Sequence, residues 1–280
     1  MEVMFSNGND PVYQQKLNHL LKDIFLDFQF WYDLNLWDQQ YESYSIMQND
    51  EIVSNISVFK TQIMLQHQIY PALSIGSVAT KDDYRGKGYS KLLMEHILTK
   101  YDKVPMYLSA NDSVIDFYPR FGFRRIHDKQ PVYEVMLDNS NKIPCKLSFN
   151  DDKVFYYVKN QQMFSKKFDC LNTQSINMFH IHLGYLKEFI YELPEIKTMI
   201  IAEQEEATLK LIGAFSAQPI QFSELLENLP FVNVKRIEFG FTPPWSDVVY
   251  RMIEYEADPM FVRNVSFDLG DFKFPELSVT

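Results

Sequence analysis

Leu17, Leu20, Leu21, Ile24, Phe25 and Phe28 recur at the three- and four-residue spacing of one helix face, with Pro11 near the expected start. The aromatic stretch "FQFWYDLNLW" at 28–37 follows, as core packing or as the lining of a substrate pocket. Three segments then carry β-branched and aromatic residues: "YESYSIMQN", "EIVSNISVFKTQIML" and "QIYPALSIGSVAT". They read as strands, with Asn49-Asp50 turning between the first two. "YSKLLMEHILTKY" returns to the helical period, with Leu92, Leu93, His96, Ile97 and Lys100 along one side. "KVPMYLSA" is another strand, "SVIDFYPRF" a short helix closed by Gly122, and "PVYEVMLD" a further strand. A strand, a crossover helix and a strand in succession lie parallel in the middle of a sheet.

Polar residues gather at 138–152, "DNSNKIPCKLSFNDD", and predict a boundary between a first domain over 1–140 and a second over 150–280. Beyond it, strands are expected at "KVFYYVKN", "KTMIIAEQE" and "ATLKLIGAFS", and a helix at "FSELLENLP". "VKRIEFGFTP" then reads as a strand, "WSDVVYRMIEYE" as a helix and "PMFVRNVSF" as a strand. The element order repeats that of the first half without visible sequence identity, which suggests an internal duplication of fold.

A net charge of −10 over 280 residues lacks the basic footprint that nucleic acid demands, and it suits a cationic substrate. Cys145 and Cys170 have no metal-ligand spacing, so a reduced, metal-free protein is expected. "MEVMFSNGNDPVYQQ" has no basic region followed by an apolar run, and no segment reaches the ~18 apolar residues of a membrane span. These features predict a soluble, cytoplasmic protein without a membrane partner.

Candidate chemistry sits in "SIGSVATKDDYRGKGYSKLLMEHILTKY" at 74–101. With only nine glycines in the chain, Gly86 and Gly88 stand two residues apart, flanked by Arg85 and Lys87. Glycine lets main-chain amides approach a ligand, and a helix that starts just beyond presents unpaired N–H groups. Together they make an anion cradle. A Walker loop needs Gly-Lys-Ser/Thr, whereas Gly86-Lys87 is followed by Gly88. Downstream, "LSANDSVIDFYPRFGF" carries Tyr118, a phenol whose ordinary pKa of ~10 keeps it protonated at neutral pH and able to donate.

Arg85, Gly86, Lys87, Gly88, Tyr89 and Ser90, after a strand and opening a helix, resemble the acyl-coenzyme A pyrophosphate loop of the GCN5-related N-acetyltransferase (GNAT) superfamily. That pattern is Arg/Gln-x-x-Gly-x-Gly/Ala, with Ser90 here replacing the last small residue. Asn111, Phe117, Tyr118, Gly122 and Phe123 resemble the family's second motif, and the likeness spans residues 17–137, about half the chain. It implies an α/β (α+β) fold with a mixed, mostly antiparallel central sheet flanked by helices, and a degenerate GNAT-like second domain. It further implies acetyl-coenzyme A (acetyl-CoA) as cofactor and a small-molecule or peptide amine as acceptor. Val78, Ala79, Thr80, the residues from Arg85 to Ser90 and Asn111 would then hold the coenzyme. The Val78 amide would polarise the thioester carbonyl, and Tyr118 would return a proton to the departing sulfur. Ser74 falls where some relatives place a glutamate, so the base would be a water chain or a carboxylate from elsewhere; His67 and His96 are isolated. The second half has only "QPIQ" between strand and helix, and Pro219 removes an amide donor, so no coenzyme binding of this kind is expected there. A non-catalytic acyl-CoA sensor and a tRNA-dependent aminoacyl transferase are the rival readings, and homo-oligomerisation stays open.

Overall fold

Asp10 accepts hydrogen bonds from the amides of Val12 (3.0 Å) and Tyr13 (3.2 Å), and Pro11 fills the first turn, so helix α1 (Pro11–Ile24) starts where its capping chemistry places it. The computed structural model describes residues 3–6, 10–138, 142–183, 188–256, 258–265 and 270–280. Strand β1 (Met4–Ser6) precedes α1, and a short helix α2 (Gln29–Asp33) follows it. Strands β2 (Tyr41–Gln48), β3 (Glu51–Leu65) and β4 (Gln68–Thr80) form an antiparallel meander. Asn49 and Asp50 both adopt positive φ (50° and 66°), the conformation a two-residue hairpin turn needs. Helix α3 (Tyr89–Lys100) crosses to β5 (Met106–Ser109), parallel to β4, and β6 (Arg124–Ile126) follows two 3-10 turns. The buried face of α3 is Leu93, Met94 and Ile97, while Leu92 and His96 are exposed; the stripe is rotated about one position from the expected one.

The later elements are β7 (Gln130–Leu137), β8 (Cys145–Lys146), α4 (Asp152–Lys159), β9 (Phe168–Leu171), α5 (Gln174–His182) and β10 (Ile190–Leu193). After them come β11 (Thr198–Glu205), β12 (Thr208–Ser216), α6 (Phe222–Asn228), β13 (Val234–Phe239), β14 (Arg251–Ile253) and β15 (Met260–Arg263). Among the described residues the first sheet runs β1-β2-β3-β4-β5-β15-β6, with β9 also on β3, and the second runs β14-β7-β13-β12-β11-β10-β8. β11, β12, α6 and β13 repeat the arrangement of β3, β4, α3 and β5: an antiparallel pair, a crossover helix and a parallel strand. The fold is therefore a mixed α/β arrangement of two mostly antiparallel sheets, built twice.

The sheets do not divide at residues 138–152. β7, from the first half, enters the second sheet beside β13, and β15, from the far end of the chain, enters the first sheet beside β5. Each sheet thus completes itself with a strand from beyond the expected boundary. A continuous apolar core fills the space between the sheets, with α1, α2, α4 and α5 contributing. α3 covers the outer face of the first sheet and α6 that of the second.

Two expected elements differ. "KVFYYVKN" is helix α4: Val154, Tyr157 and Val158 are buried at helical spacing, and Asp151 caps the start by accepting from the Lys153 amide (3.0 Å). β-Branched and aromatic composition suggested a strand there, and tertiary packing on the apolar face overrode it. "WSDVVYRMIEYE" holds no helix. Trp245 is anchored in the second core with Nε1 donating to the Ile220 carbonyl (3.0 Å), Val249 lies exposed, and only Arg251–Ile253 pairs, with β7.

Candidate active site

β4 and β5 pair at Leu73↔Met106 and Ser74↔Tyr107, then diverge into a fork. On its other edge β4 pairs Gly76 with Ser57 and Ala79 with Asn55, so Ser77 and Val78 together oppose Ile56. This is a β-bulge: Ser77 takes φ +48°, and Asn55 Nδ2 donates to its carbonyl (3.1 Å). The bulge sets Ser77 and Val78 on the wall of a cleft of about 680 Å³. The first rung of the opening between the two strands is taken by Thr280. The Thr280 hydroxyl donates to the Ile75 carbonyl (3.0 Å) and therefore accepts from Ser74 (2.6 Å), while the Ser109 amide donates to the Thr280 carbonyl (3.1 Å). Ser74 is thus buried and committed to structure. Gly76 makes room for this insertion, since a Cβ there would lie 2.8 Å from Thr280 Cβ. Gly76→Ala is expected to lower stability by about 1–3 kcal/mol through overpacking, read as a drop in melting temperature; an unchanged melt would show that Thr280 is not held at the fork.

The loop beyond the bulge ends on two left-handed glycines, Gly86 (φ 74°) and Gly88 (φ 82°). A Cβ at either would meet nothing within 4 Å, so conformation rather than crowding requires glycine at these places. Gly88 is the N-cap of α3 and supplies no side-chain cap. Among the described residues, none accepts a hydrogen bond from the amides of Gly86, Lys87, Gly88, Tyr89 or Ser90. A row of open donors at a helix start carries partial positive charge and suits an anion. The loop is stitched at its base, where Thr80 Oγ1 hydrogen-bonds with Ser54 Oγ and Ser90 Oγ (2.8 Å each). Ala79 is buried, with its carbonyl accepting from Ser54 (3.1 Å). Neither Ala79 nor Thr80 lines the cleft, and the Thr80 and Ser90 hydroxyls are spent on each other. Arg85 does line it, exposed and paired with Asp82 (2.9 Å), and Lys87 Nζ lies 4.5 Å from the centre of the Tyr84 ring.

Val78, Asn111 and Tyr118 share the cleft with Arg85. Asn111 is exposed at the start of a 3-10 turn. Tyr118 is 4 % exposed, packed against Phe117, Phe123 and Phe261. Burial pushes its pKa up to about 12. Phe261 belongs to β15, so the exchanged strand helps to seat the phenol.

The rest of the cleft is lined by residues that carry no recognisable motif. Asp128 accepts from the Tyr255 hydroxyl (2.8 Å) and the Phe274 amide (2.9 Å). Lys273, almost wholly buried, pairs with Glu276 (3.0 Å) and lies 3.8 Å from the Tyr255 ring centre. Asp258 and His180 also line the cleft. Burial lowers the His180 pKa, and its Nε2 bonds the Val279 carbonyl (2.7 Å), which leaves Nδ1 as the unprotonated nitrogen of a neutral ring. No spacing in the sequence links these groups; only the return of the chain at 255–280 to the first sheet collects them.

Among the described residues, β12 and β13 do not open into a comparable fork. β12 and β13 stay paired from Thr208↔Arg236 to Leu211↔Phe239, and a Cβ on Gly240 would strike the Ile212 backbone at 2.6 Å. The start of α6 is closed by a capping box between Gln221 and Glu224. No helix among the described residues is long and apolar enough to cross a membrane.

A forked parallel pair, a bulge and an open helix start lie together on one mixed sheet, the arrangement of the GNAT fold. Residues 12–126 match the family model for the acetyltransferase (GNAT) domain, and this part of the chain is a GNAT domain. Solved structures share the fold over nearly the whole chain. One is a probable N-acyltransferase from Enterococcus faecalis V583 (15% identity, 94% of this chain and 73% of that one, TM-score 0.57). Another is a GCN5-related N-acetyltransferase from Anabaena variabilis (12%, 95% and 73%, TM-score 0.59). A third is Eis1 from Mycobacterium abscessus (10%, 94% and 73%, TM-score 0.59). No curated protein sequence matches the chain.

Proposed function

We propose that the chain moves an acetyl group from acetyl-CoA to a primary amine by direct attack in a ternary complex. The observation that carries this reading is the run of open amides from Gly86 to Ser90, directly after Arg85, which lines the same cleft as the Val78 bulge and the Tyr118 phenol. The residues present fit the coenzyme. Backbone donors at Gly86 to Ser90 suit its pyrophosphate, with Arg85 at the rim, and the fork suits its pantetheine arm. Acetyl-CoA supplies an acyl group activated as a thioester. Val78 directs main-chain polarity at the carbonyl position, a role of the oxyanion-hole type worth about 3–4 kcal/mol of barrier. Tyr118 donates a proton to the leaving thiolate. Asp128, Asp258 and Glu276 draw a cationic amine into the cleft, and neutral His180 offers Nδ1 as a proton acceptor. Holding the amine against the thioester supplies much of the acceleration.

A general acid works only while protonated, so activity that depends on Tyr118 is retained below its pKa and lost as pH rises through about 12. The kcat profile is therefore expected to show no descending limb below pH ~10, the ordinary phenol value. A limb with a midpoint near pH 8 would assign the acid to another group. The function itself is tested by measuring thiol release with a panel of amines, alongside calorimetry with acetyl-CoA. Binding with no turnover across the panel would favour a non-catalytic acyl-CoA sensor.

A further inference from the structure

A second cavity, of about 250 Å³, opens from the cleft beside the bulge. Its walls are Leu26, Phe28, Trp31, Phe59, Ile176 and Phe179, contributed by the α1–α2 connection, α2, β3 and α5. The rings are ordered against one another: Phe28 stacks on Phe179 with centres 5.1 Å apart, and Trp31 on Phe59 at 5.5 Å. Phe25, Ser77, His180 and Thr280 belong to both spaces and so form the mouth.

We infer that this cavity receives the hydrocarbon tail of an acyl group longer than acetyl, so that the chain accepts medium-chain acyl-CoA thioesters. The inference rests on the acyl-CoA reading of the cleft and adds the class of acyl group. The mouth includes Ser77, the bulge residue next to Val78, so the cavity begins at the carbonyl position. At that carbon the sulfur leaves, the amine attacks and the oxygen takes up charge; the fourth direction belongs to the acyl tail. The amine is accounted for elsewhere, since Asp128, Asp258 and Glu276 line the cleft and none of them lines the cavity. A wall of aromatic and aliphatic side chains with no acidic residue offers hydrocarbon an apolar surface to bury against. The volume also exceeds the ~150 Å³ apolar cavity that takes up a benzene ring, far more than one methyl group fills. The wall from α5 is supplied by the second half of the chain, which gives that half a part in acyl selection although it has no coenzyme cradle of its own.

Calorimetry on the full chain with CoA, acetyl-CoA and hexanoyl-CoA tests the inference. Each methylene moved from water into an apolar site strengthens binding roughly fourfold, so four extra methylenes give at least a tenfold gain after the tail is ordered. Hexanoyl-CoA is expected to bind at least ~10-fold tighter than acetyl-CoA, and Leu26→Trp, which fills the cavity, to erase that gain while leaving acetyl-CoA affinity within about twofold. Equal affinity of the wild-type chain for the two thioesters, with both bound, would overturn the tail assignment and leave the acyl-CoA reading standing. Failure of CoA itself to bind would overturn the acyl-CoA reading and the tail assignment with it. The wild-type comparison decides the matter by itself if Leu26→Trp does not fold.

Discussion

Replacing Tyr118 with phenylalanine lowers kcat by ~10²–10⁴-fold while the affinity for acetyl-CoA stays within about twofold. The ring of Tyr118 is packed by Phe117, Phe123 and Phe261, and no hydrogen bond among the described residues depends on its hydroxyl. Removing one oxygen therefore leaves the packing in place and takes away only the donor. A thiolate leaving without a proton is the step that slows, so the loss belongs in kcat and not in ground-state binding. Single-turnover thiol release and calorimetry on the same preparation separate the two quantities. An unchanged kcat removes Tyr118 from the mechanism.

Gly88→Asp leaves the fold intact and weakens acetyl-CoA binding by at least ~100-fold, since like charges brought together cost several kcal/mol. Aspartate tolerates the left-handed conformation better than most residues and is among the preferred N-caps. The substituted side chain would cap α3 and occupy the open amides that Gly88 leaves available, placing a carboxylate where the pyrophosphate should lie. Gly88→Ala provides the comparison, since it introduces strain at φ 82° without charge and should weaken binding far less. A melting temperature at or above wild type, together with lost affinity, is the expected pair of results for the aspartate variant. Retained affinity would show that the phosphates bind elsewhere.

The glycine loop proposed as the cradle was legible in the sequence because its geometry is local. Two glycines at positive φ, a helix start and a preceding strand lie within a few residues, and their backbone conformations follow from residue type. Close approach of a ligand is the reason read from the sequence for Gly88, and the structure adds a second, a left-handed backbone. The hairpin at Asn49-Asp50 and the extents of β2, β3 and β4 were readable for the same reason of short range. The helical face of α3 was harder, because Leu92 and Met94 are both apolar and only contact with the sheet decides which is covered. α4 reads as a strand by composition and becomes a helix because Val154, Tyr157 and Val158 meet the core between the sheets.

Sequence alone determined the two glycines before α3, the helix start behind them and the hairpin at Asn49-Asp50, since each depends on neighbours in the chain. Tertiary structure decided the rest: β15 beside β5, β7 in the other sheet, Thr280 in the fork, and the acidic wall and aromatic cavity gathered around them. Strand partners are chosen by register and burial across more than a hundred residues, and apolar segments of similar composition compete for the same edges. The backbone near a glycine has few conformations to choose among; an apolar strand has many possible neighbours, and only the packed whole selects one.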